Sequence, residues 1–187
     1  MQPKTIFFIG KPGCGKGTQT KLLAARTGWN VIAAGAQFRE IAQDDTPAGR
    51  KTKHDIDQGL LMPHWFAMHL YLKGLFSLPS DANVIFDGFN RKEPEAQLII
   101  ESLNWLERSF SVIHIRVSDE ETRKRLELRK DVQDRADDHS VETRLEEFNE
   151  HTKKAIALFE SQGVLIEIDG EQTPEAIAED IVKVLGV

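Results

Sequence analysis

Four short stretches carry apolar and β-branched residues without helical spacing: Thr5 to Ile9, Asn83 to Phe86, Ser111 to Val117 and Val164 to Ile168. Runs of this length, bounded by turn-forming residues, predict strands buried on both faces. A fifth and weaker stretch is Asn30 to Ala33. Between them apolar positions recur with the period of a helix, over Lys16 to Thr27, Pro63 to Phe76, Pro94 to Arg108, Asp119 to Lys130, Val141 to Gln162 and Pro174 to Leu185. Strands alternating with helices imply right-handed crossovers and a parallel sheet covered on both faces. The expected fold is therefore α/β, a doubly wound five-stranded parallel sheet.

Two intervals depart from the alternation. Residues 35–76 contain only helix-like sequence, about forty residues between two strands, which exceeds what one crossover needs and predicts a small helical subdomain. Residues 129–139 are short and almost wholly charged, and read as an exposed loop. No repeat, low-complexity tract or Ser/Gly linker divides the chain, so residues 1–187 read as one domain.

Composition narrows the class. The chain has 187 residues, 40% of them hydrophobic, enough to bury one core. Lys and Arg number 24 against 30 Asp and Glu, a net charge of −6, so the broad basic field that holds a nucleic acid is missing. No apolar run approaches the roughly 18 residues that span a bilayer. Cys14 is the single cysteine, which excludes an intramolecular disulfide. With no signal-peptide pattern at Met1-Gln2-Pro3-Lys4, a cytoplasmic protein without membrane or nucleic-acid partners is expected.

The chemistry begins at Gly10-Lys11-Pro12-Gly13-Cys14-Gly15-Lys16-Gly17-Thr18, which follows the first expected strand and opens a helix. That is the setting of a G-x-x-x-x-G-K-[ST] phosphate loop. Gly13 and Gly15 let backbone N–H groups converge on phosphate oxygens, the helix adds the positive end of its dipole, and Lys16 follows the charge of a transferring phosphoryl group. Gly17 stands where a Mg²⁺-binding hydroxyl belongs, and Thr18 is the next candidate. Cys14 reads as a small spacer. Asp87 closes a strand at the sheet edge where α/β proteins bind ligands, either as a holder of Mg²⁺ through water or as a turn former before Gly88.

The string Gly10 to Gln19 resembles the adenylate kinase branch of the nucleoside monophosphate kinases, in which Gly is usual after the loop Lys. The resemblance continues in order through Ala34 to Arg39, Gly59-Leu60-Leu61-Met62-Pro63, Asp87-Gly88-Phe89-Asn90-Arg91, Arg125-Leu126-x-x-Arg129, Arg135-Ala136-Asp137-Asp138, Arg144-Leu145 and Asp169-Gly170. It implies a P-loop kinase that moves the γ-phosphoryl of Mg·ATP reversibly to a monophosphate, first of all AMP, and acts as a monomer. It also implies that residues 35–76 hold the acceptor and that 129–139 form a short lid. A segment as short as Lys130 to Asp134 between Arg129 and Arg135 cannot fold around zinc, and cysteines to bind one are lacking.

By the same resemblance Arg39 and Arg91 clamp the monophosphate, and Arg135 and Arg144 reach the transferred group. Arg125 stacks on the donor base, and Arg129 meets the donor phosphates. Gln172, beside the Asp169-Gly170 turn, falls with the donor site, while Ala34, Leu60, Leu61, Met62 and Gly88 fall with the acceptor. Arginine suits these places because its planar fork binds phosphate bidentately and stays charged. Taken singly, each is equally an ordinary surface residue; the pattern carries the inference. Asp137 and Asp138 either orient the arginines or cap the helix that begins near Ser140.

Several positions depart from the resemblance. Arg135 and Arg144 stand closer together than it implies, Asn90 replaces a proline, Ala36 replaces an acid, and Glu95 stands where a Gln reads adenine. An ionised Glu only accepts hydrogen bonds, which suits the neighbouring N1–H and N2–H₂ donors of guanine, whereas a protonated one restores a donor for AMP. The other reading of Glu95 is a solvated acid in the first helical turn, with the base met by backbone near Leu60 to Met62. GMP, UMP or CMP as acceptor, a kinase for another small acceptor, and a nucleotide-binding regulator without turnover are the alternatives.

Overall fold

The structure is a computed structural model that describes residues 3–133 and 141–187, with backbone only over 129–133. Its elements, in order, are β1 (Thr5–Ile9), α1 (Lys16–Thr27), β2 (Asn30–Ala33), α2 (Ala34–Ile41), α3 (Pro47–Asp57), α4 (His64–Phe76), β3 (Val84–Asp87) and α5 (Glu93–Trp105). They continue with β4 (Phe110–Arg116), α6 (Asp119–Gln133), α7 (Val141–Glu147), a π turn (Phe148–Thr152), α8 (Lys153–Ser161), β5 (Leu165–Asp169) and α9 (Pro174–Leu185). The five strands pair in parallel in the order β2-β3-β1-β4-β5. From the central β1 the chain crosses to the edge strand β2, returns to β3 beside β1, and then passes to β4 and β5 on the other side, so the direction of winding reverses beside β1. A crevice opens there at the carboxyl ends of the strands, the place where such sheets bind ligands.

Two cores sandwich this sheet. Phe7 and Ile9 of β1, with Val84 and Phe86 of β3, pack against Tyr71 and Leu75 of α4, Ile99 and Leu103 of α5 and Phe159 of α8. On the opposite face Ile6, Phe8, Ile85 and Ile113 meet Leu23 of α1 and Ile177, Ile181 and Leu185 of α9. Alternate residues of β1 serve the two cores because successive side chains of a strand point to opposite faces. All of β1 is buried, which explains why its sequence reads as an unbroken apolar run.

Caps set the helix limits. Thr46 and Thr173 accept from the N–H of Gly49 and Ala176, each with Pro at the next position, to start α3 and α9. Gly28 ends α1 in the left-handed region. Three expectations are corrected. Residues 129–133, read as the start of an exposed loop, continue α6, because the segment is charged yet contains no Gly or Pro to stop a helix. The helix expected from Val141 to Gln162 is broken by the π turn. Helix α5 begins at Glu93 and ends at Trp105, three residues short of Arg108, where Glu107 turns with φ 50°. Arg108 then stitches the sheet by donating to Thr5 Oγ1 at 2.6 Å and Lys4 O at 3.0 Å.

Between β2 and β3 the helix-like interval folds as α2, α3 and α4, of which α4 delivers Met68, Leu70, Tyr71 and Leu75 to the main core. Arg135, Asp137, Asp138 and the expected cap at Ser140 lie outside the described residues.

Tyr71 is the keystone of the first core, fully buried among Phe7, Phe86 and Phe89 with its hydroxyl 3.1 Å from Ser102 Oγ. Urea unfolding should show Tyr71→Ala destabilised by about 3–5 kcal/mol through the cavity it leaves. Tyr71→Phe should cost only about 1 kcal/mol, for one hydrogen bond.

Candidate active site

The phosphate loop is wrapped around a cation. Lys16 Nζ donates to Gly10 O at 2.7 Å and Lys11 O at 2.8 Å, and lies 3.4 Å from Cys14 Sγ. Burial pushes the Lys16 pKa down, the neighbouring Arg91 adds to this, and Cys14 and Asp87 oppose it. The wrapping requires glycine. Gly10 has φ 147°, and a Cβ there would stand 2.6 Å from Ile115 O and 2.8 Å from Cys14 Sγ, while Gly15 caps α1 at φ 101°. Cys14 is thus more than the spacer expected: it is fully buried and forms part of the wall around the ammonium.

Two cavities adjoin, the first of them at this loop. One, of about 330 Å³, is lined by the loop residues Gly13, Gly15, Lys16, Gly17 and Thr18, together with Lys21 and Arg125. The other, of about 190 Å³, is lined by Ala34, Arg39, Leu60, Met62, Gly88 and Glu95. Gly59, Leu61, Asp87, Arg91 and Arg144 line both. The shared wall therefore carries two guanidinium groups and one carboxylate at the ends of β3 and α7. Gly88, at φ 84°, lets Arg91 fold close, since a Cβ there would lie 3.1 Å from Arg91 Nη2. Arg39 lies back over Gly35 in the same way, its Nη1 3.2 Å from where a Cβ would be. Arg125 is held by Glu121 Oε1 at 2.6 Å on α6.

Glu95 is not the solvated acid of the alternative reading. It is 3% exposed, and its Oε2 accepts from the N–H of Arg91 at 2.7 Å and Lys92 at 2.9 Å, one half of a capping box for α5. Burial raises its pKa from 4.5 to about 7, against the pull of those two hydrogen bonds and of the Arg91 and Lys92 charges. Gln97, two positions on, is exposed. The peptide before Asn90 is trans, and the Asn90 side chain is fully buried with no hydrogen-bond partner among the described residues.

Gln172 lines neither cavity; its amide donates to Asp169 O and Asp180 Oδ2 on the rim of the sheet. The Arg129 side chain and all of Arg135 fall outside the described residues. Several lining residues escaped the sequence reading, namely Glu147, Phe148 and Thr152 of α7 and the π turn. Glu147 and Phe148 stand three and four positions after Arg144, the spacing that shares a helix face, and that was the pattern that could have revealed them. Glu147 Oε2 also accepts from Leu61 N at 3.4 Å, tying α7 to the loop before α4. Among the described residues no group of three or more His, Cys, Asp or Glu could hold a metal ion, and no helix is long and apolar enough to cross a membrane.

A phosphate loop with an adjoining arginine-lined pocket defines a P-loop phosphotransferase that handles two phosphorylated substrates side by side. Comparison with known proteins agrees. The adenylate kinase family model matches residues 8–164. The chain is 31% identical to an adenylate kinase of Thermus thermophilus over 187 residues, 98% of each chain. It is 35% identical to adenylate kinase 1 of Synechocystis sp. over 185 residues, 97% of each, and 34% identical to an adenylate kinase of Maricaulis maris over 96% and 97%. The chain belongs to the adenylate kinase family.

Lys16→Ala should lower kcat on the order of 10²-fold or more while leaving the urea midpoint near that of the wild type, because it removes a charge that moves with the phosphoryl group. Protonation of Glu95 supplies a second test. Its folded pKa is raised, so the stabilisation relative to Glu95→Gln is present below about 4.5 and is lost as pH rises through about 7. Unfolding midpoints of the two proteins compared from pH 4.5 to 8 check that direction.

Proposed function

We propose that the chain transfers the γ-phosphoryl of Mg·ATP reversibly to AMP, with ATP on the phosphate loop and AMP in the adjoining pocket. The observation that carries this reading is the shared wall: Arg91, Arg144 and Asp87 border both cavities, so a phosphoryl group bound there would touch both nucleotides. Attack comes from an oxygen of the monophosphate that is already anionic, so no general base is required. Charge neutralisation and in-line positioning then supply most of the rate. In this reading Gly13, Gly15, Gly17 and Thr18 hold the triphosphate with Lys16 while the buried Cys14 backs the loop, Arg125 packs on the donor base, Arg129 meets the donor phosphates, and Arg135 and Arg144 reach the transferred group and the acceptor phosphate. Arg39 and Arg91 clamp the acceptor phosphate.

Magnesium fits the residues present. Asp87 is a carboxylate at the rim of both cavities, and Thr18 is exposed on the loop cavity, so water-mediated binding by Asp87 with help from Thr18 is open to a hard cation. The ion would neutralise phosphate charge. One chain lines both cavities, in keeping with a monomer, and the single free, buried thiol Cys14 suits the cytoplasm.

The acceptor base follows from hydrogen-bond supply. The N–H of Leu60 is taken by Asp55 O and that of Leu61 by Glu147, so this segment offers carbonyl oxygens, which suit the exocyclic amine of adenine. Glu95 Oε2 is occupied by backbone, which leaves Oε1 for the ring. Protonated, it donates to adenine N1; ionised, it accepts from guanine.

Coupled assays of ATP against AMP, GMP, CMP, UMP and dTMP test the reading, with AMP expected first and failure on every monophosphate overturning it. Arg39→Ala and Arg91→Ala should raise KM for AMP at least ten times more than KM for ATP. The ratio of kcat/KM for AMP to that for GMP should fall as pH rises from 6 to 8.5 in the wild type and stay level in Glu95→Gln. A ratio that falls with pH in Glu95→Gln as it does in the wild type would show that Glu95 does not read the base.

A further inference from the structure

The phosphate loop contains a second lysine, at a place the motif leaves open and outside the machinery described above. Lys11 Nζ donates to Val117 O at 2.7 Å and lies 2.6 Å from Asp119 Oδ1. Its side chain turns away from the nucleotide cavities and lines a neighbouring cleft with Ser118 and Glu171. Its carbonyl faces the other way, accepting from Lys16 Nζ at 2.8 Å and from Cys14 N at 3.2 Å. One residue thus joins the phosphate-binding ammonium to the first turn of α6.

That turn is built to receive it. Asp119, Glu120 and Glu121 fill the first turn of α6, where acids complement the dipole, and Ser118 Oγ accepts from Glu121 N. The Lys11 hydrogen bond is the main cause holding the Asp119 carboxyl below its ordinary range. Pro12 follows Lys11 and disfavours helical backbone at position 11, and the partners of Lys11 place its side chain on Val117 and Asp119 and its carbonyl on Lys16 and Cys14. The Lys11 side chain is 19% exposed, which shields its end of the pair from the solvent screening that weakens surface pairs. Nearly two turns further along α6, Arg125 borders the loop cavity.

We propose that Lys11 is a positioning residue for the donor nucleotide: it clasps the phosphate loop to α6, fixing the spacing between Lys16, on the phosphates, and Arg125, on the base side. The inference rests on the loop being the ATP site. Without the clasp, the loop rests on α6 through Gly13, beside Leu126 and Thr122, the spacing loosens, and part of the binding energy for the triphosphate and base goes into restoring it. The acceptor pocket, which neither partner of the clasp lines, is spared.

Steady-state kinetics of Lys11→Met, Lys11→Arg, Asp119→Asn, the double variant Lys11→Met/Asp119→Asn and the control Glu120→Gln test the proposal. Lys11→Met and Asp119→Asn should each raise KM for ATP about 3–10-fold and leave KM for AMP within about twofold. Lys11→Arg should restore most of the loss, the double variant should be no worse than the poorer single one, and Glu120→Gln should resemble the wild type. Equal rises in both KM values, additive losses in the double variant, or tighter ATP binding in Asp119→Asn would overturn it, the last by showing that Lys11 is a phosphate ligand restrained by Asp119. If the wild type phosphorylates no monophosphate, the proposed function falls instead. Affinities of the same variants for a fluorescent ATP analogue then decide the clasp by the same comparison.

Discussion

A half-buried ammonium satisfied by dipoles governs this molecule. Lys16 is held by two carbonyl oxygens and a thiol rather than by a carboxylate. A carboxylate would neutralise the charge and compete with the phosphate it has to attract, whereas carbonyls cover the cation and yield it when an anion arrives. Bringing peptide oxygens onto one nitrogen forces the tight reversal at Gly10 to Gly15. That reversal in turn needs a strand that cannot move, and β1, central and wholly buried between two apolar layers, meets the need.

The parallel sheet does the remaining gathering. Because all five strands point the same way, residues that follow β1, β2 and β3 arrive at one edge although they are far apart in the chain. Cations crowd there, and their mutual repulsion has to be offset before any phosphate arrives. The means are local and weak: Glu121 on Arg125, and Asp87 between Lys16 and Arg91. Each can give way to a nucleotide phosphate, so a site held this way stays assembled without being locked.

Much of the fold was legible because its strands are short, apolar and bounded by turn residues, and each is placed within one residue of where the pattern put it. The failures have physical causes. Charge density alone suggested a loop at 129–133, but charge does not end a helix without Gly, Pro or a cap. At Glu95 the reading of a base-facing carboxyl stood beside that of a solvated first-turn acid, and only the folded chain shows two backbone N–H groups converging on its carboxylate, which removes the second. The spacing from Arg144 could have revealed Glu147 and Phe148, but the hydrogen bond from Leu61 N to Glu147 is a tertiary contact that no local spacing encodes. Arg39, Arg91, Arg125 and Arg144, which line the two cavities, could be picked out together because phosphate chemistry constrains residue type as strongly as position. Gln172 was placed by its neighbourhood in the chain, and its amide donates to Asp169 and Asp180.

The π turn at Phe148–Thr152 separates two obligations of one continuous helical segment. Upstream, α7 must aim Arg144 and Glu147 at the crevice; downstream, α8 must seat Ala155 and Phe159 in the core. An α-helix advances about 100° per residue, so these two faces are in phase only because one turn is wider than the rest. Loss of a single residue between 148 and 152 would restore a regular helix and swing the cationic face away from its substrates while α8 kept its seat in the core. Across these five positions the number of residues, more than their identity, sets where the arginine points.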